Sequence, residues 1–209
     1  MGTSAKASPD GSSKARGRPR KFEYDRALDA ALELFWSQGY RTTTTRDLEN
    51  AVGLSQSSIY NAFGSKRALL ESALDRYEAM TDEQLLRPLE QSADGIAAIE
   101  AFFVALREWV TRRGRRGCML INMMAEAGGL DDGVTQRTGA YRDRVRSAFR
   151  EALRRAVLAG EIDDAGFDER ADLLMGLVLG LNIAARGGVP APELTRLLDA
   201  ARMQLQSWR

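Results

Sequence analysis

The sequence predicts an all-α fold of about nine helices, and three observations carry that expectation. From Tyr24 onward, apolar residues recur at the three-and-four spacing of a helix face in one segment after another. No stretch sustains the period-two alternation of a half-buried strand. Gly and Pro fall between the periodic segments, where they punctuate, rather than inside them.

Each element follows in order. Ala27, Leu28, Ala31, Leu32, Leu34 and Phe35 form one face of a first helix, which Gly39 stops. Thr44 with Asp47 three residues on reads as a capping box, Asp standing in for the commoner Glu or Gln. A short helix from Thr45 to Val52 then ends at Gly53. Another short helix starts after Ser55 and runs to about Phe63. Ser65 is a good N-cap for a long helix from Lys66 to about Leu86, closed by Pro88. Further helices are expected at about 94–112, 117–128, 132–159, 167–186 and 191–207. Gly128-Gly129, Gly160, Gly187-Gly188 and Pro190 separate them.

Composition narrows the function. Hydrophobic residues make up 44% of the 209, enough for a core without disulfide or metal staples. There is no histidine, which removes Ser-His-Asp and Cys-His catalysis, His-ligated zinc and imidazole pH switching. The single cysteine, Cys118, permits neither an intrachain disulfide nor a cysteine-cluster metal site. Neither a metal nor another cofactor is expected. No apolar run approaches the ~18–20 residues of a membrane span, and Met1 to Lys21 lacks an apolar signal core, so the expected location is the cytoplasm.

The net charge of +1 conceals an asymmetry. Residues 1–22 hold six basic residues against the single acid Asp10, a net of +5. The remaining 187 residues hold 24 basic and 28 acidic, a net of −4. The chain therefore divides into a disordered basic arm (1–21), a small helical unit (22–72) and a larger helical body (73–209).

In the small unit, Leu48, Ala51, Val52, Leu54, Ile59, Tyr60 and Phe63 can share a core with Leu28, Leu32 and Phe35. That leaves Gln56, Ser57, Ser58 and Asn61 facing outward on the second short helix. A helix-turn-helix needs this arrangement, with short polar side chains presented to a major groove about 12 Å wide.

The segment Thr43 to Leu70 resembles the DNA-binding domain of the TetR/AcrR family of bacterial transcriptional regulators. The matching residues are Thr44-Thr45-Arg46-Asp47-Leu48, Ala51-Val52-Gly53-Leu54-Ser55, Ile59-Tyr60-Asn61-Ala62-Phe63-Gly64-Ser65-Lys66 and Ala68-Leu69-Leu70. The resemblance implies that Thr45 and Arg46 touch backbone or a base edge. It implies that Gln56, Ser57 and Ser58 face bases, with Asn61 at the groove. Tyr60 would meet a phosphate or a thymine methyl, and Lys66 a phosphate at the start of its helix. The family often has His at the position of Ala62, and Arg or an aromatic at that of Asn61. Operator sequence does not transfer across those departures.

Arg16-Gly17-Arg18-Pro19-Arg20-Lys21 in the arm resembles an AT-hook, an extended element that lays arginines into a narrow A·T minor groove. A solvated basic tail is the other reading. In both, Arg16, Arg18, Arg20 and Lys21 are the candidate contacts.

For the body the resemblance implies an effector-binding and dimerisation domain. The candidate pocket residues are Phe103, Leu106, Trp109, Cys118, Asn122, Met123, Tyr141 and Met175; plain core is the competing reading for each. Cys118 follows Gly117 near the start of a helix. Helix amides and nearby arginines would lower its thiol and suit it to redox sensing, whereas a small buried core residue would be inert. Leu174, Leu177, Leu181, Leu194, Leu198 and Leu205 are candidates for a two-helix homodimer face, with intrachain core as the alternative. The expected function is a homodimeric regulator, a repressor by family, binding palindromic double-stranded operator DNA and answering to an unknown small-molecule or redox effector. The rivals are an A·T-preferring nucleoid protein without an operator and, remotely, a small helical enzyme.

Overall fold

The computed structural model describes residues 18–112, 114, 116–126 and 132–209, with backbone alone for 18–22 and 112. The elements are α1 (Arg18–Gln38), α2 (Thr45–Val52), α3 (Gln56–Phe63), α4 (Lys66–Thr81), a π-helical turn (Asp82–Leu86) and α5 (Arg87–Gln91). They continue with α6 (Ile96–Arg112), α7 (Met119–Glu126), α8 (Asp132–Leu158), α9 (Phe167–Arg186) and α10 (Ala191–Gln206). The α4 helix, the π turn and α5 run on without interruption, so the described residues form nine helical rods and no strand.

Two boundaries differ from expectation. The first helix begins at Arg18, so Arg18, Pro19, Arg20 and Lys21 are helical and not part of an extended arm. Pro19 is tolerated because the N–H it lacks has no helical partner in a first turn anyway. Residues 1–17, including Arg16, lie outside the described residues. The second difference is Pro88, which does not end the fourth helix. The π turn precedes it, and the Arg87 N–H donates to the Asp82 carbonyl five residues back. That widened turn relieves the clash that a proline ring makes with the preceding turn of a tight α-helix. Thr81, buried just before the turn, donates its hydroxyl to the Tyr77 and Glu78 carbonyls, a pattern that bends helices.

A small N-terminal bundle is built where α1 packs against α2 and α4, and α3 against α2 and α4. Its core is Leu28, Leu32, Phe35, Leu48, Ile59, Phe63, Leu69 and Leu70. Ala51 and Leu54, expected in that core, are exposed; Leu54 sits on the turn after Gly53 rather than on a helix. The body packs α8 against α9, α6 and α7, with α10 laid on α6 and α9. Phe102, Phe103 and Phe149 meet at its centre, Phe103 and Phe149 stacked with centroids 5.8 Å apart. None of the helices of the described residues is long and apolar enough to cross a membrane.

Candidate nucleic-acid interface

Local hydrogen bonds fix the two short helices before any tertiary packing. The Asp47 N–H donates to Thr44 Oγ1 (3.2 Å), and the Thr44 N–H donates back to Asp47 Oδ2 (2.8 Å), completing the capping box. The Thr44 hydroxyl also donates to that carboxylate, and these bonds from Thr44 hold the Asp47 carboxyl below its usual range. Gly53 closes α2 in the left-handed conformation, φ +74°, and its N–H donates to the Glu49 carbonyl. Ser55 caps α3 by accepting from the Ser58 N–H. Glu49 then joins the helices: its carboxylate accepts from the Gln56 N–H at 2.7 Å, a negative charge on the first amide of α3. Nothing in the helical period marks Glu49 for this role, which depends on the turn bringing the two helices together.

Gln56, Ser57, Ser58 and Asn61 are all exposed on α3, while Ile59 and Phe63 on the opposite face are buried. Arg46 is exposed at the start of α2, and Thr45 beside it is half-buried. The half-buried Tyr60 brings its hydroxyl to 3.5 Å from Thr45 Oγ1, the outer limit of a hydrogen bond. Tyr60 thus combines core packing with a polar end next to the first turn of α2. Beside α3, Glu23, Tyr24 and Ala27 of α1 face Leu54, Ser58, Asn61 and Phe63 across a groove of about 590 Å³. The Tyr24 ring, partly exposed, stacks on Phe63 at 4.5 Å. No pattern among its neighbours singles out Tyr24. Of the arm residues, Arg18, Arg20 and Lys21 begin α1 at the same end of that helix.

Lys66 stands apart from the other predicted contacts. Its ammonium is turned into the chain, donating to the Tyr40 carbonyl (2.8 Å) and the Thr43 carbonyl (2.5 Å). It also lies 4.4 Å from the Tyr40 ring centroid. Burial pushes its pKa down, with the Asp47 charge pulling the other way.

A second set of contacts ties this bundle to the body. The Trp36 indole near the end of α1 donates to the Gly117 carbonyl (2.9 Å), and Arg186 at the end of α9 donates to the Trp36 carbonyl (3.2 Å). Arg116 pairs with Glu33. Trp36 also stacks with Trp109 and meets Tyr77 edge-on, and the Trp109 indole donates to the Tyr77 hydroxyl at 3.3 Å.

Cys118 lies against this aromatic group, 3% exposed, at the position before α7. Burial pushes its thiol up, outweighing hydrogen bonds with the Tyr77 hydroxyl and with the Ile121 and Leu120 amides. Of the two readings of Cys118, this favours the small buried residue over the lowered thiol. The helix amides are present, but desolvation wins, and the Arg116 charge is directed at Glu33.

Most of the predicted pocket residues are core. Phe103, Leu106, Trp109, Met123 and Met175 are buried apolar side chains in one continuous cluster, and Asn122 is buried with them. The Asn122 amide donates to the Arg116 carbonyl while its Oδ1 has no partner. Tyr141, half-buried, lines a cavity of about 180 Å³ with Glu78, Leu86, Arg137, Ala140 and Arg144. Met175 also borders a surface hollow with Arg146, Asp172 and Gly176.

The candidate dimer residues lie largely within the subunit, as the intrachain-core reading has them. Leu174, Leu181, Leu194, Leu198 and Leu205 are buried within the subunit, and Leu177 is half-buried. The exposed apolar side chains on these helices are instead Leu173 and Ile183 of α9 and Leu197 and Met203 of α10. Both helices are apolar on more than one face, so periodicity could not say which face turns inward.

The comparisons agree with this architecture. Residues 27–73 match the family model described as "Bacterial regulatory proteins, tetR family", and residues 95–203 match "Tetracyclin repressor-like, C-terminal domain". The chain is 31% identical over 205 residues to the HTH-type transcriptional repressor ComR of Escherichia coli (strain K12), covering 93% of each chain. Among solved structures it resembles a cysteine mutant of the TetR family transcriptional regulator CifR in complex with 26-bp double-strand operator DNA. That match has a TM-score of 0.75 and 26% identity, covering 95% of this chain and all of the other. A TetR transcriptional regulator from Chloroflexus aurantiacus J-10-FL matches with a TM-score of 0.78 and 25% identity, over 92% of this chain and 96% of the other.

Proposed function

The chain belongs to the TetR family of bacterial transcriptional regulators, and from that premise we propose that it is a homodimeric, ligand-responsive repressor of a palindromic operator. The observation that carries the reading is the exposure of Gln56, Ser57, Ser58 and Asn61 together on α3, a helix capped by Ser55 and tied to α2 through Glu49. Those groups can donate to and accept from base edges in a major groove. Arg46 at the start of α2 and the basic residues at and before the start of α1 supply phosphate charge. Repression follows the function named for ComR, and operator binding follows the CifR complex. The chain acts by binding, not by catalysis, and works in the cytoplasm.

Two subunits associate through the exposed apolar stripe of Leu173 and Ile183 on α9 and Leu197 and Met203 on α10. Gly176 and Gly180 lie exposed between Leu173 and Ile183, and a Cβ added at either would meet nothing within 4 Å, so a partner helix can approach closely. An effector acts from the body, where the cavity beside Tyr141 opens between α4, the π turn and α8. The Trp36, Tyr77 and Trp109 group joins α1 to α4 and α6. Cys118, buried with a raised thiol, favours a small-molecule effector over a redox one.

Selection of bound duplexes from random DNA with the purified protein tests the reading. The expected result is an enriched palindrome with half-site centres about one turn, ~34–36 Å, apart. Enrichment of A·T-rich sequence without a palindrome would support the nucleoid alternative instead.

A further inference from the structure

We infer that Lys66 is a positioning residue of the DNA-binding unit, a clasp on backbone carbonyls that sets where α2 stands relative to α3, and not a phosphate ligand. The inference rests on the DNA-binding reading above.

A lysine ammonium has three hydrogens and no acceptor. Here two of them point to carbonyls, those of Tyr40 at 2.8 Å and Thr43 at 2.5 Å. The cation lies against the Tyr40 ring, 4.4 Å from its centroid. Both carbonyls belong to the loop between α1 and α2. The loop is tightened from within as well, because buried Thr43 donates its hydroxyl to the Gly39 carbonyl at 2.6 Å.

Position makes the clasp consequential. Thr43 immediately precedes Thr44, the N-cap of α2, so holding the Thr43 carbonyl holds the first turn of α2. Thr45 and Arg46 occupy that turn, and Thr45 reaches toward the Tyr60 hydroxyl on α3. Lys66 itself is the first residue of α4, two residues after Gly64 closes α3. One ammonium therefore joins the exit of α3 to the entrance of α2 across 23 residues of chain. Its charge is directed at backbone carbonyls of its own chain.

The test uses the full chain, Lys66→Met and Lys66→Arg, and two duplexes: the palindrome selected by the wild type and a scrambled sequence of equal length. A lost phosphate contact would lower the slope of log K against log salt by about 0.9 and weaken both duplexes alike. The clasp predicts otherwise. K66M binds the selected duplex about tenfold or more weakly, keeps the scrambled duplex within about twofold, and keeps the slope within about 0.3 of wild type. K66R retains the charge but not the compact ammonium. The clasp predicts that K66R loses part of the selective affinity, whereas a phosphate ligand would retain it. Hydrogen exchange of residues 40–47 in the free protein should rise in both variants. A slope reduced by about 0.9, wild-type affinity in K66R, or unchanged exchange at 40–47 would each overturn the inference. If K66M does not fold, the K66R affinity and exchange decide. If the wild type enriches no sequence, the regulator reading fails on its own, and exchange still judges the clasp.

Discussion

The indole nitrogen of Trp36 donates to the carbonyl oxygen of Gly117 at 2.9 Å, a buried bond between residues 81 apart in sequence. It fastens the last turn of α1 to the segment that leads into α7. Trp36→Phe would leave that carbonyl buried without its donor, a loss of about 1–3 kcal/mol. The midpoint of urea unfolding should fall while the slope of the transition holds. An unchanged midpoint would mean that the bond contributes nothing net.

The capping box predicts an acid dependence. Hydrogen bonds from Thr44 lower the Asp47 carboxyl in the folded chain. Its stabilising contribution is therefore complete above the unfolded-state carboxylate value and disappears as pH falls through the lower, folded one. Asp47→Asn should be less stable than wild type at neutral pH, and the two should converge as the pH drops below the carboxylate range. A constant difference at all pH values would contradict the assignment.

Cys118 should behave as a shielded thiol. Burial raises it, so little thiolate is present at neutral pH, and the thiolate is the reactive form. Iodoacetamide should label the native protein on the order of a hundredfold or more slowly than the urea-unfolded chain. Rapid, stoichiometric labelling of the native protein would restore the redox-sensing reading.

The outward stripe and the inward leucines of α9 should separate cleanly in mutagenesis. Leu173→Glu combined with Ile183→Glu should yield a folded monomer in sedimentation experiments, with operator affinity reduced. Leu181→Ala should instead cost about 2–5 kcal/mol of fold stability, because that side chain is 2% exposed within the subunit. A double mutant that remains dimeric would place the interface elsewhere.

What could be read in the sequence was what depends on neighbours in the chain. Thr44, Ser55 and Ser65 are N-caps, and Gly53 and Gly64 are closures, because capping is a relation across three or four residues. The outward set on α3 follows from the same short range. Lys66 escaped that reading because its partners are backbone carbonyls, which every residue carries and no sequence pattern marks. Glu49 escaped for a related reason, its partner being an amide seven residues away around a turn. Cys118 was ambiguous because its helix amides are local and its burial is not. For the leucines of α9 and α10 the sequence left core and interface both open, because Leu173 and Leu174 are adjacent and only the packed body decides which of the two faces in.

The π turn at Asp82–Leu86 gives the long rod a rotational phase. Each residue advances an α-helix by about 100°. The wide turn takes up one residue more than an α turn, so forcing all of Asp82–Leu86 into the tighter ladder would turn everything beyond it by roughly that angle. Leu89, now 1% exposed, would swing toward solvent, while the start of α4 kept its hold on the DNA-binding bundle. The rod is thus keyed at both ends, and the wide turn between them is the offset that lets one shaft fit two differently oriented sockets.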